Sequence, residues 1–273
     1  MKISIITINY NNANGLKKTL ESVACQTYTD IQHVIVDGNS TDGSKDVLQD
    51  YGFASTIKIS EPDTGIYNAM NKGIRNASGD YLLFLNSGDS LRSESSITSM
   101  VPVLKGGKDM YYGDLAMQSE TSEKIRKYPD TLSFYYFFHA GSLPHPSLFF
   151  KNTLFKTVGL YKEKFKIVAD WDYYVNALFN HNATYEHVAI IVSNFDTYGI
   201  SSTSEHQKVV AEEREMSLRD NFTRFYSDYE ELQVLKKEKH SRLIKAMLRI
   251  SKNKYAFKIF TIFTKMLSRI LKK

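Results

Sequence analysis

Cysteine is almost absent from this chain. Cys25 is the only one in 273 residues, so no internal disulfide can form and a disulfide-stapled secreted scaffold is excluded. Cys25 itself is expected to be a small apolar core filler, as free thiols usually are. Only five prolines are present, and neither a low-complexity linker nor an internal repeat breaks the chain. No uninterrupted apolar run approaches the roughly 20 residues of a membrane-spanning helix. Met1-Lys2 lead directly into Ile3-Ser4-Ile5-Ile6-Thr7-Ile8, a run too short for a signal-peptide core and without a small-residue cleavage site. These absences describe a cytosolic chain.

Acidic residues are missing from one region. Residues 240–273 hold ten of the 35 Lys and Arg and none of the 30 Asp and Glu. The net charge of +5 therefore divides into a tail of +10 and a body of −5, with 25 basic against 30 acidic side chains. On a helical wheel, residues 255–272 gather Tyr255, Ile259, Ile262, Phe263, Met266, Leu267 and Ile270 on one side. Lys258, Lys265, Arg269 and Lys272 gather on the other. A basic amphipathic helix suits an anionic membrane surface; packing on the protein's own body is the alternative. The large apolar face argues for lipid over nucleic acid. Residues 240–273 thus predict a peripheral attachment to the inner face of the plasma membrane.

The first 115 residues alternate regularly. Apolar, β-rich runs at 3–9, 32–37, 56–60, 81–85 and 110–115 read as strands. Helical patterns fill most of the gaps, at 14–25 (Leu16, Leu20, Val23), from a Ser40-Thr41-Asp42 cap onward, and at 65–76. Strand and helix alternating in this way predict an α/β fold with a doubly wound, mostly parallel sheet. Beyond 115 the pattern loosens into an aromatic cluster at 134–138, Pro144-His145-Pro146-Ser147, strand-like runs at 148–150 and 165–168, a helix at 170–180 and a strand near 184–195. A charged helical segment follows at 205–238. The domain reading is a catalytic domain over 1–204, with halves 1–115 and 116–204, and a helical extension over 205–273.

Three acidic clusters carry chemistry. In Val36-Asp37-Gly38-Asn39-Ser40-Thr41-Asp42-Gly43, a strand ends at Asp37, where its carboxylate can accept hydrogen bonds from a base or ribose beside an anion-favouring helix start. In Asn86-Ser87-Gly88-Asp89, Asp89 offers a carboxylate to a hard divalent cation, with Asn86 and Ser87 as weaker oxygen donors. In Ala169-Asp170-Trp171-Asp172, two acids open a helix and either can serve as a general base. Each cluster alone is equally a turn or a helix cap. His139 and His145 are lone histidines, more suited to core or surface roles than to ligation.

Together, the clusters resemble family-2 glycosyltransferases of the GT-A fold. The matching residues are Ser4 to Tyr10, Leu20-Glu21-Ser22-Val23 with Gln26-Thr27, Val36 to Ser44, Glu61 to Tyr67, Asn71-Lys72-Gly73 and Gly79 to Asp89, in a likeness spanning about residues 2–200. The resemblance implies an inverting hexosyl- or N-acetylhexosaminyltransferase. It would use a nucleotide-diphosphate sugar, expected to be a UDP-sugar, and a glycan or lipid-linked acceptor in surface polysaccharide synthesis such as that of lipopolysaccharide. It places Asp37, Thr7 and Asn9 in the nucleotide pocket, with Asp63, Asn71 and Asn86 continuing it. Asp89 would hold Mg²⁺ or Mn²⁺, and Asp170 would be the base. Two departures stand out: Asn86 and Gly88 occupy positions where acids often sit, and Ala169 replaces a Glu, which leaves Asp172 as a competing base. Aromatics at 134–138, His145 and Gly199–Ser202 are candidates for an acceptor groove. The rival readings are a non-catalytic nucleotide-binding protein on the same fold and a nucleotidyltransferase. Asn9-Tyr10-Asn11-Asn12 lacks the Gly-rich basic loop that the latter needs.

Overall fold

The computed structural model describes residues 1–118, 122–139, 141–196, 204–239 and 241–270. The chain divides into two compact units, Met1–Ser217 and Leu218–Lys273.

A nine-stranded sheet forms the centre of the first unit. Its strands are β1 (Ile3–Asn9), β2 (Ile31–Asp37), β3 (Thr56–Ser60), β4 (Tyr81–Phe84), β5 (Ser90–Leu91), β6 (Met110–Gln118), β7 (Glu123–Arg126), β8 (Leu148–Lys151) and β9 (Tyr185–Asp196). They lie in the order β3-β2-β1-β4-β8-β6-β9-β5, with β7 on β6. β1, β2, β3, β4, β6 and β9 run one way; β5, β7 and β8 run the other. All five expected strands of the first 115 residues are present.

β1 and β2 are buried at every residue, as strands covered on both faces must be. α1 (Ala13–Ala24) buries Leu16, Leu20 and Val23, the residues its helical spacing singles out. The short α2 (Ser44–Asp50) packs Leu48 against Leu16, Leu20 and Ile35. α3 (Ile66–Asn76) approaches β1 so closely that a Cβ on Gly73 would lie 2.4 Å from Ile6 Cγ2. α4 (Ser96–Leu104) joins Ile3, Ile5, Leu83 and Leu85 in one apolar cluster. The aromatic run forms α5 (Phe134–His139), and α6 (Leu154–Thr157) and α7 (Ala169–Phe179) follow.

Three expectations change. Cys25 is exposed, not buried: α1 ends at Ala24, and the Cys25 N–H bonds Glu21 O as the C-cap, which leaves the thiol beyond the packed face. Residues 165–168 are not a strand: the Phe165 N–H bonds Lys162 O, and the donors of 166–168 are taken by a glutamate described below. α2 starts later than the Ser40-Thr41-Asp42 cap, at Ser44, although Asp42 Oδ1 still accepts from Ser44 N at 3.1 Å.

The expected 205–238 helix is two, α8 (Ser204–Asn221) and α9 (Thr223–Lys239). The second unit continues with α10 (Arg242–Ser251), capped by Ser241 Oγ, and α11 (Lys254–Ile270). In α11, Tyr255, Ile259, Ile262, Phe263 and Met266 are exposed. No helix among the described residues is long and apolar enough to cross a membrane.

Candidate active site

Parallel register sets the site. Asn9 pairs with Asp37 and Asp37 with Ser60 at the carboxyl ends of β1, β2 and β3. The Ser87 N–H bonds Ile8 O at 3.1 Å. Ser60, Asp37, Asn9 and Ser87 therefore form a row along one sheet edge, where open α/β sheets bind ligands.

Asp37 is completely buried. Its Oδ1 accepts from Asn9 Nδ2 (2.8 Å) and Ser40 Oγ (2.6 Å), and its Oδ2 from Ser40 N (3.0 Å) and Ser60 Oγ (2.9 Å). Burial alone would raise its pKa, but the hydrogen bonds from Ser40, Asn9 and Ser60 outweigh burial and hold it below the ordinary carboxylate value. Four bonds fill a carboxylate's acceptor capacity. Asn9 Oδ1, by contrast, is buried without a hydrogen-bond partner. Thr7 is one pleat deeper on the same face, fully buried, with its hydroxyl between Leu85 O (2.8 Å) and His33 Nε2 (2.9 Å).

Beside this row, Asp63 accepts from Gly65 N at 3.0 Å, in a turn that carries Gly65 to φ 143°, a conformation glycine tolerates. A Cβ on Gly38 would fall 2.5 Å from Asp63 Oδ2 and 3.0 Å from Tyr10 Cδ2, so the carboxylate and the ring flank Gly38. The Tyr10 ring is 68% exposed at the end of β1. Sequence reasoning gave it no role; the signal was a large aromatic immediately after a buried strand. Lys72 fastens this loop through Glu61 (2.8 Å) and Pro62 O (2.9 Å).

Asn71 faces elsewhere. It is buried, and its amide bonds Tyr161 O (2.9 Å), Glu163 Oε1 (2.8 Å) and Tyr161 N (3.0 Å). All its polar atoms are used to pin the 161–163 loop to α3.

The acidic tip past β4 is held by Thr19 of α1, whose Oγ1 donates to Asp89 O (2.6 Å) and accepts from Gly88 N (3.0 Å). Gly88 takes φ 106° there. Asp89 is buried, and Asn86 Oδ1 is a buried oxygen without a hydrogen-bond partner. No group of three His, Cys, Asp or Glu side chains suited to a metal comes together among the described residues. One carboxylate with an unpartnered amide oxygen fits a hard divalent cation that takes its remaining oxygens from phosphates and water.

α7 presents the third cluster, and its two acids differ sharply. Asp172 is buried, paired with Lys162 at 3.2 Å and bonded by Ser217 Oγ at 2.6 Å. Asp170 is partly exposed; its Oδ1 accepts from Trp171 N (2.8 Å) and lies 3.2 Å from Tyr67 Oη, while Oδ2 takes no hydrogen bond from the described residues. Desolvation raises its pKa, against the hydrogen bonds from Trp171 and Tyr67 and the charge of Arg214. Tyr67 belongs to the first turn of α3, directly after the Asp63 loop, so the contact brings Asp170 close to that loop.

His145 and Phe137 pack into the core. His145 bonds the Tyr174 hydroxyl at 2.6 Å and packs tilted against Phe84 at 5.0 Å between ring centroids; burial lowers its pKa to about 4. Phe137 is fully buried and its carbonyl accepts from Trp171 Nε1 at 3.3 Å, whereas Tyr135 is exposed. Gly199–Ser202 lie outside the described residues. A cavity of about 550 Å³ lined by Asp80, Lys105, Lys151 and Lys156 sits at the opposite ends of β1 and β4, beside Met1 and Tyr81, away from every residue above.

A sheet of this order, with acids along its carboxyl edge, defines a GT-A glycosyltransferase. The chain belongs to glycosyl transferase family 2, whose model matches residues 4–160. It is 33% identical over 231 residues to an uncharacterized glycosyltransferase of Mycobacterium tuberculosis, covering 78% of this chain and 82% of the relative. Among solved structures it is similar to Staphylococcus aureus TarS residues 1–349 in complex with UDP-GlcNAc (TM-score 0.63, 17% identity, 81% of this chain and 68% of that one). It is also similar to the mannosyltransferase PcManGT from Pyrobaculum calidifontis in complex with GDP-Man and Mn²⁺ (TM-score 0.60, 14% identity, 80% and 63% covered). α7 and Asp170 lie beyond the segment matched by the family model.

Proposed function

We propose that this enzyme is an inverting hexosyl- or N-acetylhexosaminyltransferase that moves a sugar from a UDP-sugar to a hydroxyl of a glycan or lipid-linked acceptor in surface polysaccharide synthesis. The observation that carries the reading is the contrast at α7. Asp172 is spent on Lys162 and Ser217, while Asp170 keeps an oxygen that takes no hydrogen bond from the described residues, and a raised pKa, beside the Asp63 loop. A carboxylate shifted toward neutrality is a better general base than an ordinary one.

The nucleotide lies over the row Ser60–Asp37–Asn9, with its base against the exposed Tyr10 ring, beside Gly38 and Asp63. The Ser40 and Ser60 hydroxyls are the partners of Asp37 that can rotate away, freeing a lone pair for the ribose or base. Asn71 acts by positioning the 161–163 loop. Asp89 and Asn86 would hold Mg²⁺ or Mn²⁺; when bound, such an ion supplies charge neutralisation for the departing diphosphate. Asp170 Oδ2 takes the proton of the acceptor hydroxyl, and the hydroxyl oxygen bonds the anomeric carbon. The bond from that carbon to the diphosphate oxygen breaks, and the diphosphate leaves with its electron pair. One displacement inverts the centre. The exposed apolar face of α11 and the basic residues of 240–273 hold the enzyme on an anionic membrane surface at the inner leaflet, beside a lipid-linked acceptor.

The test is UDP release from a panel of UDP-sugars in the presence of a membrane lipid extract as acceptor. D170N is expected to fall on the order of 10²–10⁴-fold with nucleotide affinity kept. A D170N variant as fast as wild type would remove Asp170 from the mechanism. Loss in a folded D172N alone would transfer the role to Asp172.

A further inference from the structure

The carboxylate of Glu213, on α8, lies against the chain that enters α7. It is nearly buried. Oε1 accepts from Lys166 N at 2.7 Å, and Oε2 accepts from Ile167 N at 3.0 Å and Val168 N at 3.2 Å. Three consecutive N–H groups thus converge on one side chain. The N-cap residue of α7 is Val168, which has no side-chain acceptor, so the local sequence provides nothing for these donors. Unmet buried donors of this kind cost stability and let the backbone wander.

The held peptide bears on Asp170. The Ile167 N–H is fixed by Glu213, and the Ile167 carbonyl accepts from Tyr67 Oη at 2.5 Å; the same hydroxyl lies 3.2 Å from Asp170 Oδ1. The entering strand of chain is therefore clamped on both sides, by α8 and by α3, three residues before the acid. α8 adds two further contacts to α7: the Arg214 guanidinium 5.0 Å over the Trp171 ring, and Ser217 on Asp172.

We infer that Glu213 is a positioning residue for the transfer reaction, one that fixes Asp170 through the 166–168 backbone and the Ile167–Tyr67 contact. It lies far outside residues 4–160. The inference rests on Asp170 being the general base. Mispositioning a reacting group by about 1 Å can cost on the order of 10²-fold in rate. Neutral Gln cannot replace the carboxylate, because its amide nitrogen would face a backbone donor on one side or the other.

The experiment compares E213Q, D170N and the double variant in the UDP-release assay, using the UDP-sugar that the panel selects. UDP affinity is measured by calorimetry and folding by circular dichroism at the assay temperature. E213Q is expected to lose 10- to 100-fold in kcat with its UDP dissociation constant within about twofold of wild type. The double variant is expected to be no slower than D170N, because both act on one step. Activity of folded E213Q within threefold of wild type, or losses that multiply in the double variant, would overturn the inference while leaving Asp170 in place. Wild-type activity in D170N would overturn both. Should E213Q not fold, E213D, which keeps the charge one methylene short, takes its place with the same two criteria.

Discussion

Replacing Asp37 with Asn tests the centre of the site. Asn keeps one oxygen, so two of the four hydrogen bonds in this fully buried cluster survive, without charge assistance. The new amide nitrogen faces either Asn9 Nδ2 or Ser40 N, both donors. Ser40 and Ser60 hydroxyls can rotate to accept, but a backbone N–H cannot, and Asn9 can offer its Oδ1 only by turning its amide over, which withdraws Nδ2 from Ser40 Oγ. An unmet buried donor costs about 1–3 kcal/mol, and the surviving bonds lose roughly 1 kcal/mol between them as charge is removed. Relief of carboxylate desolvation offsets part of this. The net expectation is about 2–3 kcal/mol of lost stability, a shift in the unfolding constant on the order of 30- to 150-fold. The pH dependence follows from the depressed pKa of Asp37. A carboxylate whose folded pKa lies below its unfolded value contributes stability that is fully present above the unfolded value, about 3.9, and is lost as pH falls through the folded one. Urea unfolding followed by circular dichroism should therefore separate D37N from wild type most at neutral pH, and the gap should narrow below about pH 4. A D37N protein within about 0.5 kcal/mol of wild type at pH 7 would refute the claim that these four bonds organise the edge.

Two other expectations are direct. G73A places a methyl 2.4 Å from the Cγ2 of the fully buried Ile6; overpacking of about 1–3 kcal/mol exceeds the roughly 1 kcal/mol that alanine returns in helix propensity, so the urea midpoint should fall, and a raised midpoint would sink the argument. The full chain should co-sediment with vesicles containing phosphatidylserine, less with neutral phosphatidylcholine vesicles, and lose binding on truncation before residue 240 or in high salt; equal binding to both vesicle types would remove the electrostatic part of the membrane reading.

The donor half was legible because its information is local. β1 and β2 are continuous buried runs, Asn9 and Asp37 each close a strand, and Asn86 follows two residues after β4, so parallel register alone carries them to one edge. The same spacing could not say which way each polar group turns. Thr7 and Asn71 sit close to that edge in sequence terms, yet the hydroxyl of one is spent on Leu85 and His33 and the amide of the other on Tyr161 and Glu163. Cys25 shows the same limit at a helix end: two residues past Val23, the wheel continues but the helix has stopped.

Choosing between Asp170 and Asp172 needed contacts across the chain. In sequence they are two acids flanking a tryptophan, equal as helix-start residues. They become unequal only when Ser217, 45 residues on, bonds Asp172 and Tyr67, 103 residues back, reaches Asp170. The distinction is made by α8, whose sequence reads as an ordinary charged helix. Glu213 and Ser217 are one helical turn apart, so they fall on one face, and that face meets α7 twice. A glutamate on such a helix is ordinarily solvated. Its burial against the 166–168 backbone also explains why the strand-like run at 165–168 is not a strand: the donors that a sheet neighbour would have taken are held by Glu213. The segment that sequence pattern read as a strand and the helix it read as an ordinary charged one are thus two sides of one contact, and it is through that contact that we infer Asp170 to be positioned.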